Sequence, residues 1–403
     1  MTGAPRHPGD PDDVAGAVEA SVTDLERLLV GNVVPFWPRV VDEAGGFHLR
    51  HDIEGRPLPA PTKFLVGQAR VTWWFARLAH SRWGSAADRE RAHHGYRFLV
   101  ERLWDDEHGG FLWSVPAAGR EKEALAQAYG LLALSELARD EPEAGALVRE
   151  LWRRVDDRCH DDEHGGWAEV RAADWSPVDG PGPFTADPAA KSLGVQLHVL
   201  EALSPYVATV DRTAADRLLE LLLVLSVTMG RTPERPGHGR FQADWQPAPA
   251  YVMRQYGHDV ELLWMVEEAW AVLGLPPAGL VPLLRDTLDD VLRFGYDHRR
   301  GGIFWSGFAG RTAHKTEKEF WTQAEGLLAA LRLYRRTGDP RYGRAYLGTL
   351  DWVVRRQADW EHGDWHHWVD DRGRGTGDKS GEWKDPYHQG RALIECLELL
   401  RPT

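Results

Sequence analysis

Cysteine is almost missing from this chain: Cys159 and Cys396 are the two present in 403 residues. Two distant thiols make neither a disulfide framework nor the paired spacing of a zinc loop, so a reducing cytosol is the expected compartment. Long apolar runs are missing too. The longest, Leu218 to Met229, is broken by Glu220 and reads as a buried helix, not a membrane span. The opening residues, MTGAPRHPGDPDD, lack the apolar core of a signal peptide, and residues 1–14 read as a flexible tail. Positive charge is in deficit, with 48 Lys and Arg against 61 Asp and Glu and a net charge of −13. That balance argues against nucleic acid or an anionic membrane as the main partner. No linker rich in Pro, Gly or Ser splits the chain, so one domain over residues 1–403 is expected, as a monomer or homodimer. The Pro/Gly-rich segment from Trp175 to Ala190 lies inside a repeating unit and reads as a loop over one mouth of the fold.

What the chain has in surplus is tryptophan, 19 residues. Most are expected in the core, and some suit sugar recognition, where an indole face stacks on the C–H face of a pyranose. The chain also repeats itself. DDEHGGF at 105–111 returns as DDEHGGW at 161–167, and looser copies put glycine at 46, 239, 302 and 363. Self-similarity at a period of some sixty residues marks a repeat architecture. A metal loop needs a fixed set of ligands. Here the acids vary between copies while glycine and the following aromatic or aliphatic residue persist, so the segments read as structural hairpins. Between them lie paired helical patterns, such as QARVTWWFARLAH with RERAHHGYRFLVERLW. Six helix pairs closing in a ring predict an all-α, (α/α)6 barrel with short β-hairpins in the inter-helix loops.

Three patches outside the hairpins carry candidate chemistry. KSLGVQLHVLEA holds His198, YGHDVELLW holds His258 and Glu261 on one helix face, and KDPYHQGRALIE holds His388 and Arg391 on another. All three open apolar helices, so they are expected at one mouth of the barrel. Histidine accepts and donates protons near neutral pH. Two imidazoles on opposite sides of a bound carbon would take a proton from one face and return one to the other, with Arg70 holding a developing oxyanion. Any one of these histidines alone is more often a cap or a satisfied core residue.

Taken together, in order, KFLVGQARVTWWF, KSLGVQLHVLEA, GHDVELLW, KEFWTQAEGL and EWKDPYHQGRALIE resemble the N-acylglucosamine 2-epimerase superfamily across nearly the whole chain. The resemblance implies an (α/α)6 barrel acting on an unphosphorylated sugar without metal or cofactor. It implies His258 and His388 as the acid/base pair, and His198 in ring opening and C2 positioning. Glu261 and Arg70 match further catalytic positions, Trp321 and Glu325 border the sugar, and Trp383 falls near an aromatic that packs over it. Arg391 and Gln196 are further substrate-contact candidates. One departure stands out. Cellobiose 2-epimerases of the family read NTHLH where this chain has GVQLH, so Gly194 replaces an asparagine. The resulting expectation is a sugar 2-epimerase interconverting mannose- and glucose-type sugars through a cis-enediol. The alternatives are a mannose–fructose isomerase, a cellobiose or mannobiose 2-epimerase, an (α/α)6 glycoside hydrolase using Glu261 and Glu325, or a sugar-binding barrel without turnover.

Overall fold

The computed structural model describes residues 11–116, 121–178, 191–228, 239–248, 253–308 and 310–401. In chain order its helices are α1 (Pro11–Ala20), α2 (Val22–Leu28), α3 (Leu65–Ala79), α4 (Ala86–Phe98), α5 (Ala124–Leu137), α6 (Pro142–Cys159), α7 (Leu193–Thr209), α8 (Ala215–Thr228), α9 (Tyr256–Val272), α10 (Leu280–Phe294), α11 (Phe320–Thr337), α12 (Pro340–Trp352) and α13 (Tyr387–Leu400). Odd-numbered helices from α3 to α13 pack neighbour to neighbour, and α13 returns to α3 to close an inner ring. Each inner helix carries an outer partner: α4 on α3, α6 on α5, α8 on α7, α10 on α9, α12 on α11, and α2 on α13. This is the (α/α)6 barrel expected. None of the described helices is long and apolar enough to cross a membrane.

The two rings differ as their positions demand. In α3, 13 of 15 residues are buried, because an inner helix meets protein on every side. In α6, 7 of 18 are buried, and Ala144, Val148, Leu151, Trp152, Val155 and Cys159 form a single stripe facing inward. The N-terminal stretch departs from expectation. Residues 1–10 lie outside the described residues, but α1 begins at Pro11, within the stretch read as a tail. Val14 and Val18 are buried there.

The hairpins explain the repeat. Val41 bridges Phe47, Trp104 bridges Phe111, His160 bridges Trp167, Tyr296 bridges Ile303 and Ala358 bridges Trp365. Gly110 and Gly166 hold φ of +72° and +79°, which a side chain would strain. One acid proves constant, contrary to the reading that all of them vary. Asp105 Oδ1 accepts from the Glu107 and His108 amides, and its Oδ2 accepts from Lys122 at 2.7 Å. Asp42, Asp161, Asp297 and Asp359 stand at the same place with Lys63, Lys191, Lys318 and Lys379. Glutamines complete the docking. The side-chain amide of Gln127 both accepts from and donates to the Phe111 backbone at 2.9 Å. Gln68 does this for Phe47, Gln196 for Trp167 and Gln323 for Ile303.

Short antiparallel pairs stitch each unit to the next. Lys63–Phe64 pairs with Ser114–Val115, Lys122–Glu123 with Val170–Arg171, Lys191–Ser192 with Arg240–Phe241, and Lys318–Glu319 with Trp368–Val369. This register corrects the fourth hairpin. Arg240 faces Ser192 as Val170 faces Glu123, so Gly239 adjoins the stitching strand and is not a hairpin glycine. Residues 229–238, between α8 and this strand, lie outside those described. The register also aligns the inner helices. Lysine and glutamine recur five residues apart as 63/68, 122/127, 191/196, 318/323 and 384/389, and Arg254 with Asp259 takes the same places in the remaining unit.

Candidate active site

Counting from this glutamine register places the chemistry. Two residues on, the six inner helices present Arg70, Tyr129, His198, Glu261, Glu325 and Arg391 to the barrel axis. One residue before it stand His258 on α9 and His388 on α13. A single repeat position thus supplies a polar floor, and another supplies two imidazoles above it. They face a cavity of about 450 Å³ lined by Arg70, His198, His258, Glu261, Trp321, Trp383 and His388. Gln255, Glu319, Trp305 and Trp368 also border it, and Trp305 meets Trp368 edge to face at 5.3 Å. This size and a lining that mixes tryptophans with many polar and titratable side chains suit a small polar ligand.

Each histidine has its own support. His388 Nδ1 lies 2.7 Å from Glu325 Oε1 and 3.7 Å from Glu261 Oε1. Glu325 Oε2 accepts from Arg391 Nη2 and from Trp264 Nε1, each at 2.7 Å. Arg391 in turn stacks on Trp264, 3.8 Å from the ring centre. His198 Nδ1 lies 2.8 Å from Glu201 Oε2, and both ring nitrogens lie 3.0 Å from Tyr129 OH, which also takes a bond from Arg70. Arg70 is held from the other side by Asp385 at 3.4 Å. His258 leans on Trp321 at 5.2 Å, and the same indole lies 5.6 Å from His388.

Burial shapes the protonation. It lowers all three histidines, His258 to about 4, with Arg70 adding to the fall at His198 and Glu325 working against it at His388. Three neutral imidazoles near pH 7 follow. Burial alone would raise Glu325, but the Arg391 charge and the His388 bond hold it down at about 2. Glu261 goes the other way, pushed up by burial and by the Glu325 anion. An anion at Nδ1 fixes the tautomer of His388 as Nδ1–H and leaves Nε2 free to take a proton from the cavity.

Not every candidate reaches the cavity. Gln196 is fully buried with its amide committed to the Trp167 backbone, so it docks a hairpin and does not replace the missing asparagine. Glu325 and Arg391 belong to the floor but do not line the cavity; they lie behind His388 and border it instead of the ligand. Tyr129, Glu201 and Asp385 were not singled out by sequence reasoning. The signal for Tyr129 was its place two residues after Gln127. Among the described residues, Glu261, Glu325 and His388 bring three possible ligand atoms within 4.8 Å of one another. Arg391 already supplies the cation there, and a metal ion would have to displace its guanidinium from Glu325.

Residues 45–392 match the family described as N-acylglucosamine 2-epimerase. A cellobiose 2-epimerase from Bacteroides fragilis is 27% identical over 392 residues, covering 93% of this chain and 98% of that protein. A D-mannose isomerase from Marinomonas mediterranea is 25% identical over 402 residues, covering 94% and 98%. The solved cellobiose 2-epimerase of Spirochaeta thermophila superposes with a TM-score of 0.85 at 27% identity, covering 96% of this chain and 98% of that one. With a family match spanning the barrel and the lined cavity at its mouth, the chain belongs to the N-acylglucosamine 2-epimerase family and is a carbohydrate enzyme of the isomerase class.

Proposed function

We propose that the chain is a 2-epimerase of unphosphorylated aldoses, interconverting mannose- and glucose-type sugars through a cis-enediolate without a metal or cofactor. The observation that carries this reading is the pair of buried, neutral histidines, His258 and His388, flanking Trp321 over one cavity, with Glu325 behind the second. His198 assists ring opening. His388, backed by a carboxylate that stabilises its imidazolium, removes the C2 proton. Arg70 balances the charge that develops on the oxygens at C1 and C2. His258 then delivers a proton to the opposite face of C2. Delivery to C1 instead would yield a ketose, and relatives named for both reactions keep aldose–ketose isomerisation as the second reading. Glycoside hydrolysis is disfavoured by the carboxylates themselves. A hydrolase needs two of them across the ligand, and the pairing of Glu261 with Glu325 fails because Glu325 is locked to Arg391 and does not line the cavity.

The test is incubation of mannose, glucose, fructose, cellobiose and mannobiose in deuterated water, before and after exhaustive chelation. C2 deuteration with a C2 epimer as product, unchanged by the chelator, is expected. A smaller sugar released from a disaccharide, or no C2 exchange with any sugar, would overturn the reading. Activity lost to the chelator and restored by one divalent ion would overturn the metal-free part.

A further inference from the structure

The barrel has a second cavity, of about 650 Å³, at the opposite mouth. Residues mostly from the C-terminal halves of the inner helices line it, with Arg77, Glu136, Glu268 and Arg332 among its walls and Tyr387 and Arg391 reaching it from the start of α13. A polar cavity of this size holds water. Between it and the sugar cavity, five residues after the glutamine register, the inner helices present Trp73, Leu132, Glu201, Trp264, Leu328 and Ile394. That tier is an apolar partition with one carboxyl group in it. Glu201 lines the rear cavity, while its Oε2 lies 2.8 Å from Nδ1 of His198, which lines the front one. Its other oxygen is buried with no hydrogen-bond partner among the described residues.

We propose that Glu201 and the rear cavity form a proton port, through which His198 exchanges protons with solvent while a bound sugar covers it from the front mouth. The proposal rests on the reading of the front cavity as the site of sugar ring opening. Two polar threads cross the partition, and their chemistry separates them. The thread from Glu325 through Arg391 and Glu395 to Arg332 is a row of fixed charges, with 2.7 Å between Arg332 and Glu395. Guanidinium groups do not give up protons, so that thread conducts none. In the other, burial keeps Glu201 protonated and His198 neutral, and each can both give and take a proton. Glu268, further along the rear wall, is raised to about 7 by burial and by Glu395, close to the pH at which it would be working.

The protons balance as follows. As the C1–O5 bond breaks, its electron pair leaves on O5, which takes the proton from His198 Nε2. In the same step Nδ1 of that ring takes the Glu201 proton, so the imidazole stays neutral throughout, and rear-cavity water then reprotonates Glu201. The anomeric hydroxyl loses its proton to front-cavity water as the C1 carbonyl forms, so one proton enters at the rear and one leaves at the front. Ring closure reverses each transfer.

The experiment uses the full chain labelled with 15N at histidine and saturated with 1,5-anhydroglucitol and 1,5-anhydromannitol in turn. These fill the front cavity but cannot open. Exchange of the His198 ring proton with water is read by saturation transfer in the wild type, in Glu201→Gln, and in a double variant, Ala208→Trp with Ala271→Trp, that caps the rear rim. Fast exchange in the wild type, slowed at least severalfold in both variants with unchanged Tm, is expected. The anomer interconversion rate of a reactive sugar should fall by roughly 10²-fold in Glu201→Gln, the usual effect of removing a proton relay. Exchange that stops in the wild type once the sugar binds, or that persists in both variants, overturns the port. Failure of C2 deuteration with sugar binding intact would sink the functional reading alone, because the ring-proton exchange is measured without turnover.

Discussion

Two positions of the repeat, two residues apart on the same helical turn, have opposite histories. At the docking position five of the six inner helices carry glutamine, and Gln68, Gln127, Gln196 and Gln323 spend their amides on a hairpin backbone. Two residues on, at the lumen position, arginine, tyrosine, histidine and glutamate alternate with no repeated pattern. The first position is set by geometry that recurs in every unit, so one residue type serves. The second faces the axis, where six side chains meet one another and not their own unit. Uniformity there would place six like groups against each other, whereas variety yields paired charges and supported imidazoles. The wall of the barrel is built by repetition, and the floor of the site by departure from it.

The comparison can be broken at several points. The largest effect is expected above the floor. His258→Asn and His388→Asn should each lower kcat by about 10²–10⁴-fold, the usual cost of losing a general acid or base, with melting temperature little changed. Near-normal turnover in either variant removes that histidine from the acid/base pair. Next comes the floor itself. Glu325→Gln leaves Arg391 buried with only the more distant Glu395 as its anion, which should cost up to about 3–5 kcal/mol of stability in addition to activity. Its folded pKa, about 2, lies below the unfolded value of 4.5. The stability it contributes is therefore present above pH 4.5 and is lost as the pH falls towards 2. Denaturation of wild type and variant across that window should show the gap closing; a constant gap would mean that Glu325 is not ionised in the fold.

A smaller effect belongs to the docking position. Gln196→Ala and Gln68→Ala should each destabilise by about 1–3 kcal/mol, since each strands a backbone N–H and C=O. KM should stay put in both. If Gln196→Ala raised KM severalfold while Gln68→Ala did not, the amide would be a ligand contact after all. The smallest effect concerns Gly194. A Cβ there would come no closer than 3.8 Å to His258 Nε2, so an asparagine fits without strain and reaches towards the acid/base pair. We expect mannose to be turned over at least as well as cellobiose by the wild type, and Gly194→Asn to shift the kcat/KM ratio towards cellobiose by up to about tenfold. A ratio unmoved by the substitution would end that expectation.

How much of this was legible in the sequence follows the same division. Helical periodicity and the glycine hairpins disclosed the barrel, because both are local signals repeated many times. The three histidines opened apolar helices and could be placed at one mouth. Their partners could not. Helix spacing relates Glu261 to His258 and Arg391 to His388, but the carboxylate that holds His388 is Glu325, 63 residues away, and it was taken for a sugar contact. Tyr129 bonds His198 across 69 residues and drew no notice in a run of leucines and alanines. Gln196 was misassigned for the converse reason. Its neighbourhood in sequence is the catalytic patch, while its amide reaches back 29 residues to Trp167. The lysine–glutamine spacing was there to be read and would have corrected both.

Helices α1 and α2 pack against helices encoded more than 300 residues later, and this sets an order of assembly on the ribosome. The helix pair at the start packs on α12 and α13, with Ser21 Oγ 2.8 Å from Tyr346 OH, 325 residues downstream. Asn32 likewise donates to the Asp359 carbonyl at 2.7 Å. At about 5–20 residues per second, the partners of α1 and α2 emerge roughly 15–65 s after them. Throughout that interval Val18, Val22, Leu25, Leu28 and Leu29, all buried in the finished barrel, have no final surface to meet. Helices α1 and α2 are thus made long before the surface they dock on, and a chain stalled before α13 would present an open barrel with an apolar seam to the chaperones around it.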